Sequence, residues 1–354
     1  MYKLVLIVCL FGTSIVHVIE AASCTVSNYA DVDAAAKSCD ILTITDLVIP
    51  AETTLKIDLK DGAKLVFDGH LTHEVAEWTG DLVQITGTNV EIYGTNNHLL
   101  DGLGPKHWKG ATEPTIMRPK FLRFKLHEST IRDLKLKNCP NNCIMLSSST
   151  NLFVTNINID NYDGYPGVAG TKYAKNTDGF DIGGAVGLRV ENSVVINQDD
   201  CVAVNGGSDM VFENLHCNGS HGLSFSLKDG DVKNVQFLNS KVEYSNNAIH
   251  IKTHNDGSTG TLKNILYKNI EFNHIDRYAV SIQENYPSGE AKANIPISNL
   301  TLDNVKGSMT GSKSMAFQII CASGGCSDFH FNDVEVTGAQ TKNQCENVPS
   351  GINC

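Results

Sequence analysis

The chain has 354 residues, 41% hydrophobic and only 19% charged, with 30 glycines and a formal net charge of −11. This composition excludes a disordered chain and argues against a nucleic-acid partner, whose phosphates call for excess cation. It fits a soluble secreted enzyme or an acidic external medium, and any anionic ligand would need locally placed cations, for which His250 and Lys252 are the candidates.

Residues 1–22 read as a secretory signal: Lys3 precedes the apolar run Leu4 to Phe11, and the small residues Ala21, Ala22 and Ser23 follow. The run is too short to span a membrane. One domain, 23–354, and an extracellular location are therefore expected, since no Pro/Ser-rich linker interrupts the remaining sequence. Of eleven cysteines, Cys9 falls in the signal and ten remain, an even number that implies disulfide staples after export. Neighbouring cysteines propose the pairs Cys24–Cys39, Cys139–Cys143, Cys201–Cys217, Cys321–Cys326 and Cys345–Cys354, although sequence alone leaves the connectivity open.

From about residue 90 a pattern recurs. Leu152-x-Val154-x-Asn156 matches Leu188-x-Val190-x-Asn192, Met210-x-Phe212-x-Asn214, Val235-x-Phe237-x-Asn239, Ile265-x-Tyr267-x-Asn269 and Leu300-x-Leu302-x-Asn304. Alternation with period two marks half-buried strands. The Asn steps of 36, 22, 25, 30 and 35 residues describe a minimum repeat lengthened by insertions, as in a solenoid. Helical repeats would need apolar spacings of three and four, and leucine-rich repeats a denser Leu pattern. The expected fold is all-β: a single right-handed parallel β-helix, with stacked Asn side chains forming a hydrogen-bonded ladder. A solenoid buries its core within one chain, so a monomer is expected.

Within that frame Asn176-Thr177-Asp178, Asp199-Asp200 and Ser220-His221-Gly222 follow one another at 21 to 22 residues, one repeat apart. Three carboxylates and a histidine would then stack on one face. Gathered carboxylates repel, and such clusters serve proton transfer or metal binding. Singly, an Asp pair marks a turn, Asn-Thr-Asp another ladder rung, a glycine-flanked histidine a structural turn, Lys252 a surface charge and Tyr286 a loop anchor. Order and spacing together point to one site.

Those stretches, with His250-Ile251-Lys252 and Tyr286 after Ser281-Ile282-Gln283-Glu284-Asn285, resemble the signatures of the polygalacturonases, family 28 of the glycoside hydrolases, over essentially the whole mature chain. The usual forms are Asn-Thr-Asp, Asp-Asp, Gly-His-Gly and Arg-Ile-Lys. The resemblance implies hydrolysis of α-1,4-galacturonosyl bonds in pectin with inversion, by a protonated carboxyl and a carboxylate base about 6.5–9.5 Å apart. By motif, Asp199 would be the general acid and Asp178 and Asp200 would position and deprotonate water. His221 would tune the proton, Lys252 would pair with a uronate carboxylate, and Asn176, His250 and Tyr286 would complete substrate binding. Crowding would raise the proton affinity of one of the three carboxyls. A Ca²⁺ site, as in β-helical lyases, would favour further oxygen ligands, and a lyase would need a base such as Arg or Lys, so no metal or other cofactor is expected.

Two positions depart from those signatures. His250 replaces Arg, so uronate binding is expected to weaken at neutral pH and partly recover in acid, where the imidazole would be protonated. Ser220 replaces Gly, adding bulk beside His221 and completing an Asn218-Gly219-Ser220 glycosylation sequon; Asn299-Leu300-Thr301 is a second sequon. A binding protein that has lost turnover through these changes, and a rhamnogalacturonan-cleaving or exo-acting hydrolase, are the rival readings.

Overall fold

The computed structural model describes residues 21–110, 117–165 and 173–354, so residues 1–20 of the expected signal lie outside the described residues. Among the described residues, 25 strands join one continuous sheet in which every strand pairing is parallel. It winds into a right-handed β-helix whose coils each contribute to three ladders of strands.

The alternation read from sequence becomes registered rows of inward side chains. Leu152, Leu188, Met210, Val235, Ile265, Leu300 and Phe329 pair in succession in one ladder. Two residues on, Phe212 and Phe237, then Phe237 and Tyr267, stack with ring centroids 4.8 Å apart. These side chains are almost wholly removed from water. Each such aliphatic or aromatic group stabilises the fold by about 1.5–3 kcal/mol relative to exposure.

At the end of that ladder the chain turns through left-handed backbone at Asp133, Asn156, Asn192, Asn214, Asn239, Asn269, Asn304 and Asp333, with φ between 49° and 56°. Asn tolerates this region better than most residues, which is why it recurs there. Asn214 donates to the Asn192 carbonyl, Asn269 to that of Asn239 and Asn304 to that of Asn269. The expected ladder breaks at Asn239, which donates to Glu213 Oε1 instead. A second ladder, not anticipated, runs through Asp209, Asn234, Asn264 and Asn299 at the start of the same strands.

Helix Val32–Ser38 packs on strand Leu55–Asp58 near the N-terminal end of the sheet, burying Val32, Ala35 and Ala36. All five proposed disulfides are present. Among the described residues no helix is long and apolar enough to cross a membrane.

Candidate active site

The ladder that carries the site includes, in order along the helix axis, Asp81–Thr88, Lys120–Arg132, Ile144–Ser147, Phe180–Ile196, Val202–Asn218, Leu223–Leu227, Asn247–His254 and Tyr278–Tyr286. Phe180 pairs with Val202 and Val202 with Leu223. Two residues upstream of each, in the turn before the strand, stand Asp178, Asp200 and His221. The one-repeat spacing thus places them on neighbouring coils.

The turn is held from beneath. Buried Asn197 reaches the carbonyls of Thr177, Asp199 and Asp200 through its amide nitrogen at 2.8, 3.1 and 2.8 Å. Thr177 Oγ1 donates to Ala174 O and accepts from Gln198 N–H, so this residue of the motif is structural. Gly222 has φ +97°, and a Cβ there would meet the Ala248 carbonyl oxygen at 2.6 Å, so only glycine can follow His221. Ser220 is fully buried, its hydroxyl accepting from Gly222 N–H at 3.0 Å and lying 3.1 Å from Ser245 Oγ. The expected bulk penalty is therefore corrected: serine caps the turn that presents His221.

One oxygen of Asp199, one of Asp200 and a ring nitrogen of His221 lie within 4.8 Å of one another. Asp199 accepts from Asn176 N–H at 3.0 Å and Asp200 N–H at 2.9 Å, and its Oδ1 lies 3.2 Å from His221 Nδ1. Asp200 accepts from Ser224 Oγ at 2.8 Å and from Lys252 Nζ at 2.7 Å, and this ion pair is almost wholly buried. The protein thus supplies its own cations to these two carboxylates. Tyr173 Oη donates to Gln198 O at 2.8 Å and sits 3.3 Å from His221 Nε2.

Burial pushes the Asp178 carboxyl well above its usual range, and the charges of Asp199 and Asp200 push it further. Burial acts the same way on Asp199, but the His221 imidazolium and Lys252 outweigh it and hold that carboxyl down at about 2. His221 is raised in turn: burial opposes its charge and Asp199 overcomes it. Proton affinity is thus shifted toward Asp178 and away from the Asp199 that the motif would protonate. The cause is that Asp199 already receives backbone donors and a cation.

His250 corrects a second expectation. Burial and Lys252 drive its imidazole well below the usual value, so protonation there is disfavoured. Nδ1 lies 3.2 Å from Asn247 Nδ2 and Nε2 lies 3.3 Å from Gln283 Oε1. Tyr286 stands beside it, edge-on at 6.4 Å between centroids, with Lys252 Nζ 5.6 Å from the Tyr286 ring centre. Asn176 adopts φ +59°, and its side-chain oxygen is buried without a hydrogen-bond partner.

Toward the N-terminus lies a cavity of about 550 Å³ lined by Asp81, Arg118, Lys120, Arg123, Asn176 and Asp178 among others. Arg123 grips Asp81 through Nε at 2.7 Å and Nη2 at 3.1 Å. Asp181, held by Asn142 and Asn205, adds a fourth carboxyl. The sequence reading missed Asp181 and Ser224. Both share a registered outward row with Met145, Ala203, His250 and Ser281, so strand register was the signal that could have found them.

Crowded carboxyls of opposed proton affinity, set beside a histidine on the outer face of a parallel β-helix, are suited to acid–base chemistry. A profile of the glycosyl hydrolases family 28 matches residues 39–354. Endopolygalacturonase A of Aspergillus niger is 37% identical over 346 residues, covering 95% of this chain and 91% of its own. A polygalacturonase of Phaedon cochleariae is 37% identical over 347 residues, covering 94% of each chain. The solved structure of endopolygalacturonase I from Stereum purpureum, complexed with two galacturonate, superposes with a TM-score of 0.82 at 26% identity, covering 92% of this chain and 98% of that one. The chain belongs to glycosyl hydrolase family 28, and it is a glycoside hydrolase.

Proposed function

We propose that the chain is a secreted, endo-acting hydrolase of the α-1,4-galacturonosyl links of pectin, working with inversion and as a monomer. The observation that carries this reading is the cluster of Asp178, Asp199, Asp200 and His221 on adjacent coils, with the proton affinities of Asp178 and Asp199 driven apart. One carboxyl protonates the leaving oxygen while a carboxylate on the other side deprotonates the attacking water. By motif the acid is Asp199, the water is held by Asp178 and Asp200, and His221 steers the proton. Lys252 holds the Asp200 side chain in place through their 2.7 Å pair. Asn176, His250 and Tyr286 line the path of the sugar chain, and the likeness to endopolygalacturonases supports cutting within a polymer.

One observation favours a second assignment, in which Asp178 delivers the proton: burial and the neighbouring carboxylates raise its proton affinity well above the usual range. Asp178 and Asp199 are coupled, so substrate can redistribute a proton between them before chemistry. Polygalacturonate digestion followed by proton NMR tests the function. The expected result is a falling viscosity with new reducing ends released first as the β-anomer. Release of the α-anomer would refute inversion, and binding without release would favour a non-catalytic pectin-binding protein.

A further inference from the structure

The two sides of the carboxylate cluster differ in charge. On the N-terminal flank Lys120 shares a cavity with Asp178, beside Arg123, whose charge is matched by Asp81. On the C-terminal flank, one strand beyond Ser224 and about 4.8 Å along the axis, stands His250. Its protonation is fixed by geometry. Asn247 Nδ2 lies 3.2 Å from the His221 carbonyl oxygen, which can only accept, so that atom must be the amide nitrogen. The same nitrogen faces His250 Nδ1, which must then accept, leaving the proton on Nε2 toward Gln283 Oε1. Both ring nitrogens are spent inside the protein. The nearby charge of Lys252 is matched by Asp200, and Arg277, one strand further, is stacked on Tyr278.

A carboxylate bound over His250 would lose water and meet no unspent cation and no ring N–H. The site instead offers the imidazole edge and the Tyr286 ring, which suit an ester methyl group. Resting on the polygalacturonate reading, we propose that the position walled by His250, Gln283 and Tyr286 takes a methyl-esterified galacturonate residue, while the position beside Asp178 and Lys120 takes the free acid. The preferred polymer is then partially esterified pectin rather than polygalacturonate.

The test digests randomly esterified pectin and maps methyl esters on the two new chain ends by tandem mass spectrometry. Wild type should carry esters at one new end above the chain average and at the other below it. His250→Arg, which restores a forked permanent cation, should abolish that asymmetry. It should also move the kcat/KM ratio about tenfold in favour of polygalacturonate, as one gained charge-assisted bond would. Cleavage with equal ester frequency at both wild-type ends overturns this inference alone. Failure to cleave either polymer overturns the hydrolase reading and this inference with it.

Discussion

Glu284 gives the clearest thermodynamic test of the structure. It is fully buried beside the Cys321–Cys326 disulfide; Oε2 accepts Ala322 N–H at 2.7 Å and Oε1 has no hydrogen-bond partner. Burial raises its carboxyl from 4.5 to about 7, against the smaller opposing effect of that backbone donor. The folded state therefore binds this proton more tightly than the unfolded chain. The stability it confers is complete below about pH 4.5 and falls as pH rises to about 7, a loss of about 3 kcal/mol. Glu284→Gln cannot ionise and should escape that loss. Urea unfolding of both proteins at half-unit steps from pH 4 to 8 checks this: wild type minus variant should fall by roughly that amount and then level off. Parallel curves across the range would refute the placement of an uncompensated carboxyl there.

Lys252→Met leaves the buried Asp200 carboxylate with the Ser224 hydroxyl as its remaining side-chain partner, and should cost about 3–5 kcal/mol in chemical denaturation as well as activity. An undiminished unfolding midpoint would contradict the ion pair. Ser220→Gly, the reversal toward the family form, should lower stability by about 1–2 kcal/mol through the lost bonds to Gly222 and Ser245, without raising the turnover rate. A faster enzyme would mean that serine does obstruct His221.

The architecture was legible because the left-handed turn recurs with nearly the same residue: Asn156, Asn192, Asn214, Asn239, Asn269 and Asn304 occupy one position where few side chains fit. The second ladder escaped because it mixes Asp209, Asn234, Asn264 and Asn299 with other residues and so presents no fixed letter. The site's members were also visible, since one repeat in sequence is one coil in space. Their protonation was not. Lys252 is claimed by Asp200, 52 residues away, and His250 is fixed neutral by the orientation of the Asn247 amide. Ser220 looked like a burden until Ser245, on the next coil, supplied its partner. Charge states depend on contacts between coils, and the sequence pattern reports only their spacing.

Initial rates of reducing-end release from pectic polymers, measured across pH for wild type and Asp199→Asn, bear most directly on the carboxylate cluster. Removing one of its acid–base groups while keeping shape should lower kcat about 10²–10⁴-fold at every pH. A variant that releases reducing ends as fast as wild type would contradict any chemistry at Asp199.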